Sequence, residues 1–292
     1  RPNLAQFKER VQAHLAPRIG PGRPVVTQGY IGATEDGLTT TLGRGGSDYS
    51  AALFGAALGV DEVQIWTDVE GVMTCDPRQV PAARPIARLG FAEAAELAAF
   101  GAKVLHPATI QPAVEASIPV TVRHTFRPDG RFTTITADGS SGRIVTALAA
   151  RGPITVLTVT SSRMLEQSGY LARLFEIFGR LGVSVDLVAT AEVSVSLSID
   201  ADAPLEQLLA ELAPIATVEV ARERAIVSVI GERLKAQPGL PARVFTTLGD
   251  IEVEMISLGA NEINLSVVVR KDVVPHALSR LHRGLIEDEG DA

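Results

Sequence analysis

"TTTLGRGGSDYSAALFG", residues 39–55, places three glycines, an arginine, a serine and an aspartate in the six positions 43–48, ahead of an almost entirely apolar helical stretch. The segment reads either as a polar tight turn or as a site built to hold an anion. A helix N-terminus has backbone N–H groups without partners and a partial positive charge, which suits phosphate or carboxylate. Gly43, Gly45 and Gly46 let the backbone approach a ligand. Arg44 offers a guanidinium fork, Ser47 caps the helix or donates to a ligand, and Asp48 favours the helix dipole or orients a cation. Neither the P-loop pattern nor a true G-x-G-x-x-G is present.

Working outward, "PVVTQGYIG" (24–32) and "LTTTLG" (38–43) flank an Asp-Gly turn and predict a hairpin. The helix is expected over 48–58, closed by Gly59. "EVQIWTD" (62–68) and "IPVTVRHTF" (118–126) predict strands, and "FAEAAELAAFG" (91–101) and "HPATIQPAVEAS" (106–117) predict helices. A short helix, Leu4 to Leu15, precedes them all. Alternating strands and helices give a layered α/β domain reaching about residue 139.

Beyond it the texture changes. Segments 154–161, 169–182, 183–191, 193–200, 204–215 and 216–222 form a β-α-β-β-α-β series, and a second series runs from 225 to 287 without its last strand. "RIVTALAA" (143–150) stands unassigned ahead of the first series and supplies that strand, so one ferredoxin-like unit is inserted in the other. The expected division is 1–139, a linker and strand over 140–153, a first unit over 154–222 and a second over 223–292. Leu171, Phe175, Phe178 and Leu181 recur at helical spacing and are expected in the core.

The 292 residues suit roughly two domains at about 150 residues each. Hydrophobic residues at 46% and charged residues at 21% are ordinary globular proportions and argue against disorder. A net charge of −7 without a basic patch argues against nucleic-acid and anionic-membrane partners. The longest apolar run, residues 51–60, is well short of the ~20 residues of a membrane span. The lone Cys75 excludes an internal disulfide and suits a reducing cytoplasm.

Two further stretches bear on the anion question. "WTDVEGVMTCDPR" (66–78) sets Thr67 and Asp68 at a predicted strand's carboxyl end, where open α/β sheets bind ligands, and adds Arg78 after a loop. "FGAKVLHP" (100–107) puts Lys103 just past a helix terminus. Taken singly, Asp68 reads as a turn cap, Arg78 as half of a surface ion pair and Lys103 as a solvated lysine. Three in one domain favour a nucleotide site.

These three motifs resemble those of the aspartate kinases, within the amino-acid kinase family, and the doubled unit is similar to their paired ACT domains. "SRMLEQSGYLARLFEIFGRLGVSVDLVATAEVSVSLSID" (162–200) looks most like the lysine-sensitive type. The resemblance implies transfer of the γ-phosphoryl of ATP, with Mg²⁺, to the β-carboxylate of L-aspartate, opening the route to lysine, threonine and methionine. It gives Tyr30, Arg44 and Ser47 substrate roles, Asp48 and Lys103 catalytic ones, and Thr67, Asp68, Met73, Arg78 and Lys103 nucleotide contacts; Met73 stands where relatives often carry tyrosine. No resident metal site of the protein's own is implied. Met164, Gly169, Tyr170, Leu171, Val185, Asp186 and Glu192 match positions lining the L-lysine effector site, and Ala191 stands where a serine is common. A homodimer through the first ACT unit is expected. The family's Lys-Phe-Gly-Gly segment and the glutamate ahead of it are absent from these residues, so the expectation is a partial kinase domain that does not phosphorylate aspartate by itself. The competing expectation is a dimerising amino-acid sensor, with fusion to a second enzyme left open.

Overall fold

The computed structural model describes residues 2–43, 45–101, 107–164 and 168–288. The chain divides into two compact units, residues 1–147 with 230–232, and residues 148–229 with 233–292.

In the first unit, α1 (Leu4–Arg10) continues as a π-helical turn over Val11–Leu15. Strands β1 (Ile31–Ala33) and β2 (Thr39–Thr41) form the expected hairpin, with Gly32 opposite Thr40. It is shorter than the sequence suggests: residues 24–29 have no regular partner, and Val26 is 94% exposed. Then come α2 (Gly46–Leu58), β3 (Val63–Thr67), β4 (Arg88–Gly90), α3 (Phe91–Ala99), α4 (Pro107–Glu115), β5 (Val120–His124) and β6 (Thr133–Thr136). The sheet order is β3-β5-β6-β4. β3 and β5 are parallel, β4 and β6 are parallel, and β5 and β6 are antiparallel. Val63, Ile65, Val120, Val122 and Ile135 are buried, whereas the alternate residues Gln64 and Trp66 are exposed. β4 and β6 escape sequence reading because each is a three- or four-residue piece without a full period of alternation.

The second unit is built on β7 (Val145–Thr160), α5 (Tyr170–Arg180), β8 (Val185–Thr190), β9 (Ser194–Asp200), α6 (Leu205–Leu212), β10 (Thr217–Gly231), α7 (Leu240–Leu248), β11 (Met255–Leu258), β12 (Asn264–Arg270) and α8 (Val274–His282). One six-stranded sheet runs β11-β12-β10-β7-β9-β8. The four strands β10-β7-β9-β8 have the ferredoxin-like order for the first βαββαβ series. The four strands β7-β10-β12-β11 have it for the second, with β7 as its last strand. The early strand thus completes the second sheet and is continuous with the first strand of the other series. β10 is likewise a single strand where two were expected. Gly152, midway along β7, lies against Arg224 and Ala225, midway along β10. Residues 153 and 222, where the sequence reading divides the units, fall inside these strands.

The first series closes over Leu157, Val159, Leu174, Ile177, Phe178, Val195, Leu197, Ile199, Leu208 and Leu212, with Met164 and Val185 packed at its margin. Here the sequence reading of α5 needs correction. Its buried face is Tyr170, Leu174, Ile177 and Phe178, while Leu171 and Phe175 are 40% and 37% exposed. Both stripes have helical spacing, and only the packing of α5 on the sheet decides between them. No helix among the described residues is long and apolar enough to cross a membrane.

Candidate functional site

α2 begins at Gly46, two residues earlier than expected, behind the left-handed Gly45, and no side chain caps it. The capping role open to Ser47 is therefore not used, and its exposed side chain stands in the first turn. Tyr30, itself at φ 71°, is fastened to this turn. Its N–H donates to Ser50 Oγ at 2.9 Å, and the Ser50 hydroxyl donates to the Gly46 carbonyl at 2.8 Å. A Cβ at residue 46 would lie 2.8 Å from Tyr30 Cδ2 and 3.0 Å from Leu42 Cβ, so glycine is what lets the Tyr30 ring close on the helix entry. Asp48 is half-buried in the first turn, and burial pushes its carboxyl above the ordinary 3.8.

α2 returns into β3 through residues 59–62 only, and the short return sets the start of α2 at the same end of the unit as the carboxyl end of β3. A Cβ on Gly55 would meet Val63 Cγ2 at 2.5 Å, so helix and strand are closely apposed where the return begins. α4 returns just as sharply into β5, which is parallel to β3, so the N-terminus of α4 joins them at that end. The sequence-derived substrate and nucleotide residues among these elements thus gather at the strand ends where open α/β sheets take ligands.

Thr67 ends β3, and its hydroxyl donates to Asp68 Oδ1 at 3.1 Å. Its carbonyl accepts from the Thr125 N–H at 2.8 Å and the Thr125 hydroxyl at 2.9 Å, a support that sequence reading missed. The loop that follows is stapled to the sheet by one hydroxyl. Thr133 Oγ1 accepts from the Val72 N–H at 2.8 Å and donates to the Ile86 carbonyl at 2.6 Å, while the Ile86 N–H donates to the Val72 carbonyl. Gly71, at φ 115°, makes room for that staple: a Cβ there would meet Thr133 Oγ1 at 2.4 Å. Between these ends Met73 is half-buried, bridged to Pro85. Arg78 is 73% exposed and pairs with Asp76 at 2.7 Å, and that hydrogen bond and charge hold its guanidinium above its usual range. The bland reading of Arg78 is thus realised, yet an exposed pair of this kind is readily exchanged for a phosphate. Arg44 and Lys103 lie outside the described residues. Among the described residues no three His, Cys, Asp or Glu side chains gather to hold a metal.

The second cluster is in the other unit. α5 opens behind left-handed Gly169, again without a side-chain cap. Tyr170, its first residue, is 5% exposed, and its hydroxyl is buried without a hydrogen-bond partner. Leu171 is exposed beside it, and Glu192 is exposed in the turn after β8. α5 returns into β8 through residues 181–184, so Tyr170 and Glu192 stand at one end of β8 and Val185 and Asp186 at the other. Asp186 Oδ1 accepts from Arg151 Nη1 at 2.6 Å, while its Oδ2 is buried without a partner. Burial pushes the Asp186 carboxyl up, Arg151 draws it back and Asp200 pushes it up again. Arg151, also missed from the sequence, was visible there as a charge directly after the largely apolar run 145–150.

Residues 5–124 match the amino acid kinase family and residues 227–285 the ACT domain. The lysine-sensitive aspartokinase 3 of Escherichia coli is 44% identical over 98% of this chain, and the chain spans 65% of that relative's length. The crystal structure of E. coli aspartokinase III with aspartate and ADP (R-state) superposes with a TM-score of 0.85 at 42% identity, over 97% of this chain and 65% of that one. The T-state complex of the same enzyme with lysine and aspartate gives 0.82 at 42% identity, over 98% and 65%. The first unit is thus similar to the amino acid kinase family over residues 5–124, and the second to the ACT domain over residues 227–285.

Proposed function

We propose that the chain is the regulated portion of an aspartate kinase, transferring the γ-phosphoryl of ATP to the β-carboxylate of L-aspartate under feedback inhibition by L-lysine. One observation carries the reading: both predicted ligand clusters open on uncapped helix N-termini, and the two buried side-chain atoms without partners among the described residues, Tyr170 Oη and Asp186 Oδ2, belong to the effector set. Residues 1–139 are the kinase part, 154–222 the effector-binding unit and 223–292 its companion.

In the transfer an oxygen of the aspartate β-carboxylate attacks the γ-phosphorus while the bond to the bridging oxygen of the β-phosphate breaks, leaving ADP and an acyl phosphate. Such chemistry needs in-line placement and charge neutralisation above all. Ser47 and the free N–H groups of α2, with Arg44, hold the substrate, and Tyr30 closes one side. Thr67, Asp68, Met73, Arg78 and Lys103 hold the nucleotide. Asp48 orients the catalytic lysine. Mg²⁺, bound with the nucleotide, would supply charge neutralisation.

For the effector, an amino acid is too short to touch both ends of β8 in one chain. Two copies joined along β8, one of the two edge strands of the sheet, bring the Tyr170 end of one to the Asp186 end of the other. Val188 on that edge is 43% exposed, which favours a homodimer there.

The test is calorimetric titration of the chain with L-lysine, L-threonine and L-methionine. Saturable binding of lysine alone, with sedimentation as a dimer, is expected. Heat from none of the three overturns the regulatory assignment.

A further inference from the structure

Arg151 lies in the middle of β7 and reaches across β9 to β8. Its Nη1 donates to Asp186 Oδ1 at 2.6 Å and its Nη2 to Asp200 Oδ1 at 2.6 Å. The side chains of Arg151, Asp186 and Asp200 are 31%, 16% and 48% exposed. The three groups carry a net charge of −1, and the second oxygen of Asp186, the most buried member, is closed to solvent with no donor among the described residues. A buried carboxylate in that state is costly unless something pairs with it. An ammonium beside Oδ2 would complete an alternating row, Asp200, Arg151, Asp186 and ammonium, with no net charge.

We propose that Arg151 is a positioning residue of the effector site. It keeps the Asp186 carboxylate ionised and commits Oδ1, so that Oδ2 alone receives the ammonium of the effector; Asp200 fixes the other arm of the fork. The inference rests on the reading of Asp186 as an effector ligand and adds the group that prepares it. Arginine suits the task because its planar fork spans two carboxylates at once, which a lysine cannot do. The charged groups facing Asp186 are Arg151 and Asp200. Without Arg151 the carboxyl keeps its burial and the repulsion of Asp200 and loses the cation paired with it. Its protonation then moves to higher pH and competes with effector binding.

The experiment is calorimetric titration of the full chain with L-lysine at pH 6, 7 and 8, where the lysine side-chain amine stays protonated. Arg151→Gln is expected to bind about tenfold more weakly at pH 8, the loss expected when one charge-assisted hydrogen bond no longer holds Asp186 in place, and to lose further affinity toward acid pH more steeply than the wild type. Arg151→Lys is expected to be weakened but to keep the wild-type pH profile. Asp186→Asn is expected to bind poorly with no acid limb. If Asp186→Asn loses lysine while Arg151→Gln keeps the wild-type affinity and profile, or binds more tightly, the role of Arg151 is overturned and the site stands. If Asp186→Asn binds as well as the wild type, the effector reading falls, and this inference with it. Should far-ultraviolet dichroism show that Arg151→Gln does not fold, Asp200→Asn decides. Removing that repulsion moves the acid limb to lower pH if the row acts as described, and an unmoved limb overturns it.

Discussion

Replacing Thr133 by valine removes one hydroxyl and almost no volume. That hydroxyl is fully buried and serves two backbone groups, the Val72 N–H and the Ile86 carbonyl, at the two feet of the loop carrying Met73 and Arg78. Valine leaves both without a partner in a site closed to water. At about 1–3 kcal/mol for each buried polar group left unsatisfied, with some relaxation, the loss comes to about 2–4 kcal/mol. Trp66, the only tryptophan in the sequence, sits on β3 of the same unit, so its fluorescence follows the unfolding of this unit in urea. With a slope of about 2 kcal/mol per molar, the midpoint falls by about 1–2 M. Thr133→Ser keeps both hydrogen bonds, gives up one methyl group and shifts it by less than half as much. Nucleotide affinity falls in Thr133→Val and is retained in Thr133→Ser. If the two variants unfold at the same urea concentration, the hydroxyl does not staple the loop and the argument is wrong.

Gly46→Ala puts a methyl group against the Tyr30 ring, so aspartate and nucleotide binding weaken while the thermal midpoint falls by only a few degrees, about 1 kcal/mol of strain; unaltered ligand titrations would remove Tyr30 and the helix entry from the site. Lysine binding should weaken as pH falls toward the Asp186 pKa, which burial raises above the ordinary 3.8. The same shift makes folded Asp186 bind its proton more tightly than the unfolded chain does, so its contribution to stability declines as pH rises from 3.8 through the raised value. Calorimetric titrations across the acid range, with and without lysine, read both effects, and a flat lysine affinity would count against Asp186 as a ligand. Cys75 is 3% exposed and its thiol is pushed up to about 12, chiefly by burial, so a thiol-specific reagent should label it only after denaturant is added; rapid labelling of the native chain would show that its enclosure is not as described.

Long-range topology was unusually legible. The doubled β-α-β-β-α-β pattern, with a strand to spare at 143–150 and one lacking at the end, left a single economical arrangement, and the sheet order agrees with it. Local details were less so. Residues 24–29 have the β-branched character of a strand, yet pairing ends where β2 ends, and composition does not carry the partner's length. Leu171 and Phe175 show the same limit on α5, where two stripes of equal period compete and only the neighbouring sheet selects one. At the candidate sites, the sequence offers residue types with obvious chemistry but not the groups that support them. Thr125 and Thr133 act through single hydroxyls aimed at distant backbone groups, and nothing in a threonine's neighbours along the chain announces such a target.

The two long strands of the six-stranded sheet also bear on heredity and engineering. Each of β7 and β10 serves both βαββαβ units, so the chain cannot be severed at any one point to yield either unit whole. Beginning a fragment at residue 154 strips the second unit of its fourth strand, and ending one at residue 222 discards that unit while leaving the first half of β7 with half its neighbour gone. Although the sequence records a duplication, its products can no longer be traded singly. Recombination that transfers this sheet intact to another chain has to carry the whole stretch from β7 to α8 as one piece.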